Sequence, residues 1–214
     1  MDIRFYYAAG ANCCERIKWA LDYKGIAYTQ LNEGTMSAAD AEHFIRISPF
    51  QRWPVLELDG KPLSESMAML EWLEEWQPLP PLNYRDLMLR ARVREASEVV
   101  NSSIHPVQNR AVVRFFHPFG PEQEMRLMRA DWVANNLAKL APLLWLDSSF
   151  AVGEQFTMAD ILVAVIYRKG VQLGMLELPD LDLDLDDFAH HWAHLMSIDA
   201  VRASCPLAEA KTAG

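Results

Sequence analysis

Along the first third of the chain, apolar positions recur first at the spacing of a strand and then at that of a helix. Ile3–Tyr7 alternates apolar and polar and reads as a strand. Residues 13–24 put Ile17, Ala20 and Leu21 on one helical face, and Gly25 supplies the stop. Residues 26–31 read as a second strand, and residues 37–47 as a weaker helix opened by Ser37 with Asp40 three positions on. Pro54 then opens a short apolar strand. Asp59-Gly60 is a two-residue hairpin signal, because both central positions of that turn need positive φ. Lys61–Leu63 follows as the return strand. After Ser64, Glu65 and Ser66, an apolar stripe at Met69, Leu70, Leu73 and Trp76 predicts a helix.

The order β-α-β-α-β-β-α is the thioredoxin-like arrangement. Beyond it the pattern changes. Pro78, Pro80 and Pro81 crowd one short stretch, which reads as a linker. No convincing strand follows residue 86, and helical patterns run over roughly 86–115, 122–147, 157–173 and 187–198. The expected fold is therefore α/β plus all-α: a thioredoxin-like domain over 1–77, a linker over 78–85 and an all-helical C-terminal domain over 86–214. No internal repeat is visible.

Composition narrows the function. Of 214 residues, 51% are hydrophobic and 23% charged, as suits a packed fold. The net charge of −9 argues against nucleic-acid and anionic-membrane partners, which need a concentrated basic face. No apolar run approaches the roughly 18 residues that would cross a bilayer. The first residues, MDIRFYYAAG, lack the basic start and apolar core of a signal peptide. Cys13, Cys14 and Cys205 are odd in number and lack CxxC spacing, which suits a reducing cytoplasm and makes a poor zinc site.

Two predicted helix starts carry candidate chemistry. Asn12 precedes the first helix and Glu15 lies three residues on, close to a capping box. A structural reading makes Asn12 a cap and Cys13 a small core residue. A chemical reading uses the same geometry: the dipole and free N–H groups of a helix start stabilise a thiolate, with Arg16 one turn in adding positive charge. At Glu65-Ser66, free N–H groups again suit an anionic ligand. Thr157 and Asp160 form a third capping box, read as structural.

Residues 53–75 resemble the glutathione-binding half of the cytosolic glutathione S-transferases. NCCERIKWALDYKGIAY, from Asn12, is similar to the first helix of the zeta class, which includes the maleylacetoacetate isomerases. Ile104, His105, Pro106 and Asn109 match a segment of that class as well. The resemblance implies a cis Trp53–Pro54 bond, with Trp53 pairing to glutathione through its backbone and its bulk narrowing the mouth of the site. It implies Ser66 at the γ-glutamyl carboxylate, Glu65 near the ammonium, and Gln51 and Arg52 toward the glycyl end. Gln108 and Asn109 would line the second-substrate pocket, and Arg110 and Arg114, beside the zeta-like segment, would hold substrate carboxylates if the substrate is a maleyl-type diacid. A gapless match puts Ala11 and Asn12 at the two serine positions of the class, so thiolate stabilisation falls to Asn12 and Cys13 as catalytic residues.

The resemblance thus implies a transferase that uses glutathione as cosubstrate against a small-molecule electrophile. A zeta-like cis–trans isomerase of maleyl-type diacids is the second reading, and a non-catalytic binding protein the third. Family members are usually homodimers. No metal is expected. LPDLDLDLDD, residues 178–187, spaces aspartates like a calcium loop but lacks the glycine at position six, and its twelfth position, counted from Asp180, is His191. His190 and His194 have ligand spacing without the glutamate of HExxH, so a surface or packing role is expected for the His190, His191 and His194 group.

Overall fold

A computed structural model describes residues 1–178 and 183–208. The chain falls into two compact units, one of Met1–Leu82 with the stretch from Ala203, the other of Asn83–Arg202. Four residues of the acidic 178–187 run, 179–182, lie outside the described residues.

The first unit follows the expected order: β1 (Ile3–Tyr7), α1 (Asn12–Tyr23), β2 (Thr29–Asn32), α2 (Ala38–Ile47), β3 (Val55–Leu58), β4 (Lys61–Leu63) and α3 (Ser66–Trp76). The sheet runs β2-β1-β3-β4. β2 is parallel to β1, and β3 and β4 are antiparallel to their neighbours. Strand alternation sends successive residues of β1 to opposite faces. Tyr6 and Val55, paired across the ladder, pack with Phe44 of α2, joined by Leu31, Met36, Ile47 and Trp53. Phe5 and Leu56 point the other way, and α1 and α3, which pack on each other, bury Ile17, Leu21, Met69, Leu70 and Leu73.

Asp59 and Gly60 both adopt positive φ, 47° and 79°, as the hairpin requires. Gly25, at φ 63°, ends α1. Two expectations shift. β2 starts at Thr29 rather than at residue 26, because Ile26 N–H closes the end of α1 by bonding to Leu21 O at 3.0 Å. Trp76 does not complete the buried stripe: it is 40% exposed and stacks on Trp72 at 5.1 Å.

Lys24 ties down the proline-rich stretch. Its buried ammonium meets Glu74 Oε2 at 2.8 Å, Gln77 O at 2.7 Å and Pro80 O at 2.8 Å, so all three of its donors are used.

The second unit is helical, with α4 (Leu87–Glu98), α5 (His105–Gln108), α6 (Arg110–Phe116), α7 (Glu122–Leu140), α8 (Met158–Gln172), α9 (Asp186–Ser197) and α10 (Asp199–Ser204). The run expected over 86–115 is not one helix. It widens into a π-type stretch over Val99–Ile104, and Asn109 breaks it again before α6. Pro106 accounts for the widening before it: it has no N–H to donate and its ring clashes with the carbonyl one turn back. α7 is also shorter than the 122–147 pattern, tightening at Ala141–Leu143 into a 3₁₀ turn that carries Pro142. No helix among the described residues is long and apolar enough to cross a membrane.

Candidate functional site

The start of α3 is open. Its flanking residue, Glu65, sits at φ 70°, ψ 113°, a region that side chains rarely occupy, and makes no side-chain cap. The first backbone N–H groups of α3 therefore lack the side-chain acceptor that usually meets them, and they carry the positive end of the helix dipole. Ser66, the first helical residue, is 4% exposed, and Arg16 Nη1 reaches to 3.5 Å from its Oγ. Glu65 itself is exposed. A ligand carboxylate with a neighbouring ammonium matches this set: hydroxyl and N–H groups for the first, a carboxylate for the second.

The loop before β3 is held by Ser48. Its hydroxyl donates to Arg52 O at 3.2 Å and accepts from Arg52 N at 3.1 Å, while Gln51 N–H donates to Ser48 O at 2.8 Å. Gln51 takes φ 49°. This tight turn leaves the Gln51 and Arg52 side chains exposed. The Trp53–Pro54 bond is cis. The Trp53 ring is used for packing: it stacks on Phe44 at 4.1 Å and 13°.

At the start of α1 the expected capping box is absent. The chain enters through Gly10, at φ 74°, and Ala11 is the cap residue, its carbonyl accepting from Cys14 N at 2.8 Å and Glu15 N at 3.0 Å. Glu15 turns back instead to Gly10 N–H at 2.9 Å and to the Tyr7 hydroxyl at 2.7 Å. Asn12 is thus the first helical residue, 4% exposed, with an amide Nδ2 that no hydrogen-bond acceptor meets. A buried orphan donor at a helix start suits an anion or thiolate. Burial, and then the bond to Glu15, raises the Tyr7 hydroxyl well above its usual range, so Tyr7 stays protonated and donates. The two cysteines part company. Cys14 is fully buried, accepts from Ala8 N at 3.3 Å, and burial pushes its thiol far up. Cys13 has intermediate exposure, and is the accessible one.

Sequence reasoning placed Arg16 beside the Cys13 start; the structure brings it to the α3 start, through Ser66. Arg16 and Ala20 are four apart, on a face that α1 otherwise buries, a spacing that signals burial of Arg16 but not its partner. Glu15, read as half of a capping box, proves to be the anchor of the 8–11 loop.

In the second unit Gln108 is 3% exposed. Its Nε2 lies 2.9 Å from His105 Nδ1, and its Oε1 has no hydrogen-bond partner. Arg129 Nε holds the Gln108 carbonyl at 2.6 Å. Asn109 caps α6, accepting from Ala111 N at 2.9 Å. Arg110 and Arg114 both meet Glu122 Oε2, at 3.2 and 2.9 Å. His191 is buried against Asp160 at 2.9 Å, a packing role, and no group of metal-binding side chains is found among the described residues.

Residues 1–75 match the family model described as glutathione S-transferase, N-terminal domain. A maleylacetoacetate isomerase of Pseudomonas aeruginosa is 31% identical over 182 residues, covering 81% of this chain and 84% of the relative. The chain belongs to the glutathione S-transferase family and, within it, to the zeta-class branch of the maleylacetoacetate isomerases. Among solved structures, maleylacetoacetate isomerase from Anaeromyxobacter dehalogenans with glutathione in its active site is 28% identical, with a TM-score of 0.77 and coverage of 99% of this chain and 98% of that one. The same enzyme has been solved with dicarboxyethyl glutathione and citrate. A zeta-class maleyl pyruvate isomerase in holo form gives a TM-score of 0.80 at 25% identity, covering 98% of this chain and 100% of that one.

Proposed function

We propose that this protein is a glutathione-dependent cis–trans isomerase acting on the double bond of a maleyl-type diacid. The observation that carries the reading is the open, positively biased α3 start with Ser66, in a chain 31% identical to such an isomerase. Glutathione fits the residues present: Ser66 and the first N–H groups of α3 for its γ-glutamyl carboxylate, Glu65 for its ammonium, the Trp53 backbone for its peptide, and Gln51 and Arg52 for its glycyl end. Bound glutathione supplies a thiolate that adds to the conjugated double bond and leaves after rotation about it. Asn12 Nδ2 and the Cys13 thiol, at the positive end of α1, lower the free energy of that thiolate relative to the thiol. The second unit, and Gln108 within it, shapes specificity for the electrophile; Asn109 contributes by fixing the start of α6. The division at 1–77, 78–85 and 86–214, a homodimeric state and a cytoplasmic setting belong to the same proposal.

The test is turnover with a maleyl-type diacid and, in parallel, with a halogenated aromatic electrophile. Isomerisation that stops when glutathione is withdrawn is expected. Asn12→Ala should lower kcat about 10- to 100-fold, and Cys13→Ala less than about tenfold. Conjugation of the aromatic compound with no isomerisation would replace this reading by the general transferase one.

A further inference from the structure

Glu15 is buried, and its two carboxylate oxygens are unequally served. Oε1 accepts from the Tyr7 hydroxyl at 2.7 Å and from Gly10 N–H at 2.9 Å, while Oε2 has no hydrogen-bond partner. Asn12, three positions earlier, is equally buried, and its Nδ2 meets no acceptor. The same spacing offers a second arrangement. In a capping box Asn12 Oδ1 would accept Glu15 N–H, and the Glu15 carboxylate would accept Asn12 N–H. Asn12 would then be the cap, and its side chain would be spent on the backbone. The chain takes the other course for reasons visible in the structure. Glu15 N–H bonds to Ala11 O at 3.0 Å, so it loses nothing without the box. The carboxylate finds two donors where the box supplies one: a hydroxyl on β1, and the N–H of Gly10, whose φ of 74° turns it inward. Hydrogen bonds to a charged acceptor are the strong ones, so the second donor decides.

We propose that Tyr7 and Glu15 are positioning residues for Asn12. By drawing the Glu15 carboxylate away from the backbone of Asn12, the Tyr7 hydroxyl keeps the start of α1 open and the Asn12 amide available to an anion. The inference rests on the proposed use of Asn12 toward a thiolate. It assigns the choice between a closed and an open helix start to a tyrosine hydroxyl on the neighbouring strand.

A double-mutant cycle of Tyr7→Phe and Asn12→Ala tests it, read by glutathione-dependent isomerisation of a maleyl-type diacid. Tyr7→Phe keeps the ring and removes only the hydroxyl. Alone it should lower kcat roughly three- to tenfold and leave KM for glutathione within about twofold, because the start of α3 is untouched. In the Asn12→Ala background it should change kcat by less than about twofold, since the amide that it positions is gone. Loss of packing alone would act alike in both backgrounds. An equal fall in the two overturns the inference, and so does no fall from Tyr7→Phe alone. If Tyr7→Phe does not fold, Glu15 decides. Glu15→Gln keeps an oxygen for both donors and should hold kcat within about threefold of wild type, whereas Glu15→Ala should lose about tenfold or more. Equal kcat in the two Glu15 variants overturns the inference. Asn12→Ala with wild-type kcat sinks the use of Asn12 in the proposed function itself; a fall on Asn12→Ala with none on Tyr7→Phe sinks only the positioning by Tyr7 and Glu15.

Discussion

Two helices of this chain start on a hydroxyl residue and a carboxylate, and they use them in opposite ways. At α8 the pair closes on itself. Asp160 Oδ2 accepts from Thr157 N–H at 2.7 Å and from the Thr157 hydroxyl at 3.0 Å, and Oδ1 accepts from Ala151 N–H at 2.7 Å and lies 2.9 Å from His191 Nε2. Both residues are 0% exposed. At α3, Glu65 and Ser66 leave the helix start uncapped, Glu65 is out in solvent, and the backbone accepts an unfavourable φ. A start that satisfies its own donors stabilises the fold. One that withholds them keeps binding capacity for something else, and backbone strain of about 1–3 kcal/mol goes with it.

Asp160→Ala should have the largest effect, and on stability alone. It removes the acceptor of four short contacts in a dry setting, and about 3–5 kcal/mol is expected. That is a large part of the 5–15 kcal/mol typical of a domain. Urea unfolding checks it; a loss under about 1 kcal/mol would mean that the closed start is not what holds this end of α8.

Ser66→Ala is the reverse case. Glutathione affinity should fall about 10- to 100-fold, the value of a hydrogen bond to a charged group, while stability moves by less than about 1 kcal/mol. Equal losses of stability and binding would erase the contrast between the two starts. Glu65→Gly sharpens it further. Glycine accepts φ 70° without strain, so the variant should be more stable by about 1 kcal/mol yet bind glutathione more weakly. A destabilised Glu65→Gly would show that the backbone there is not strained.

These contrasts also mark what the sequence could and could not disclose. The Thr157/Asp160 box was legible because its two members are three residues apart and need no distant partner. The strand and helix order of the first unit was legible for the same reason: period, Asp59-Gly60 and Gly25 are local signals. The box expected at Asn12 and Glu15 was equally well spaced and did not form. Its carboxylate had better partners in Tyr7 and Gly10, which only the turn at Gly10 brings near. Arg16 and Ser66 meet across 50 residues, and no local pattern announces such a pairing. The bend near Pro106 was visible as a proline, yet helical periodicity on both sides argued for continuity, and the missing N–H decided it.

The smallest effect concerns α2, whose start is also closed, though in solvent. Ser37 Oγ accepts from Asp40 N–H at 3.1 Å and donates to Asp40 Oδ2 at 2.6 Å, and Arg4 pairs with the same carboxylate. The Ser37 hydroxyl first, and then Arg4, hold the Asp40 carboxyl below its ordinary value of 3.8. A carboxyl depressed in the folded state contributes stability that is fully present above the unfolded value. That contribution is lost as pH falls through the lower, folded one. Urea midpoints followed from about pH 5 down toward 2 should therefore decline less steeply in Asp40→Asn than in the wild type, since the variant has no proton to gain there. Glutathione affinity at neutral pH should be the same in both, because Asp40 holds the start of α2 and Arg4 of β1 and not the start of α3. A variant that matched the wild-type slope would mean that the Ser37 and Arg4 contacts to Asp40 are too well solvated to matter, leaving α8 as the one closed start with energetic weight.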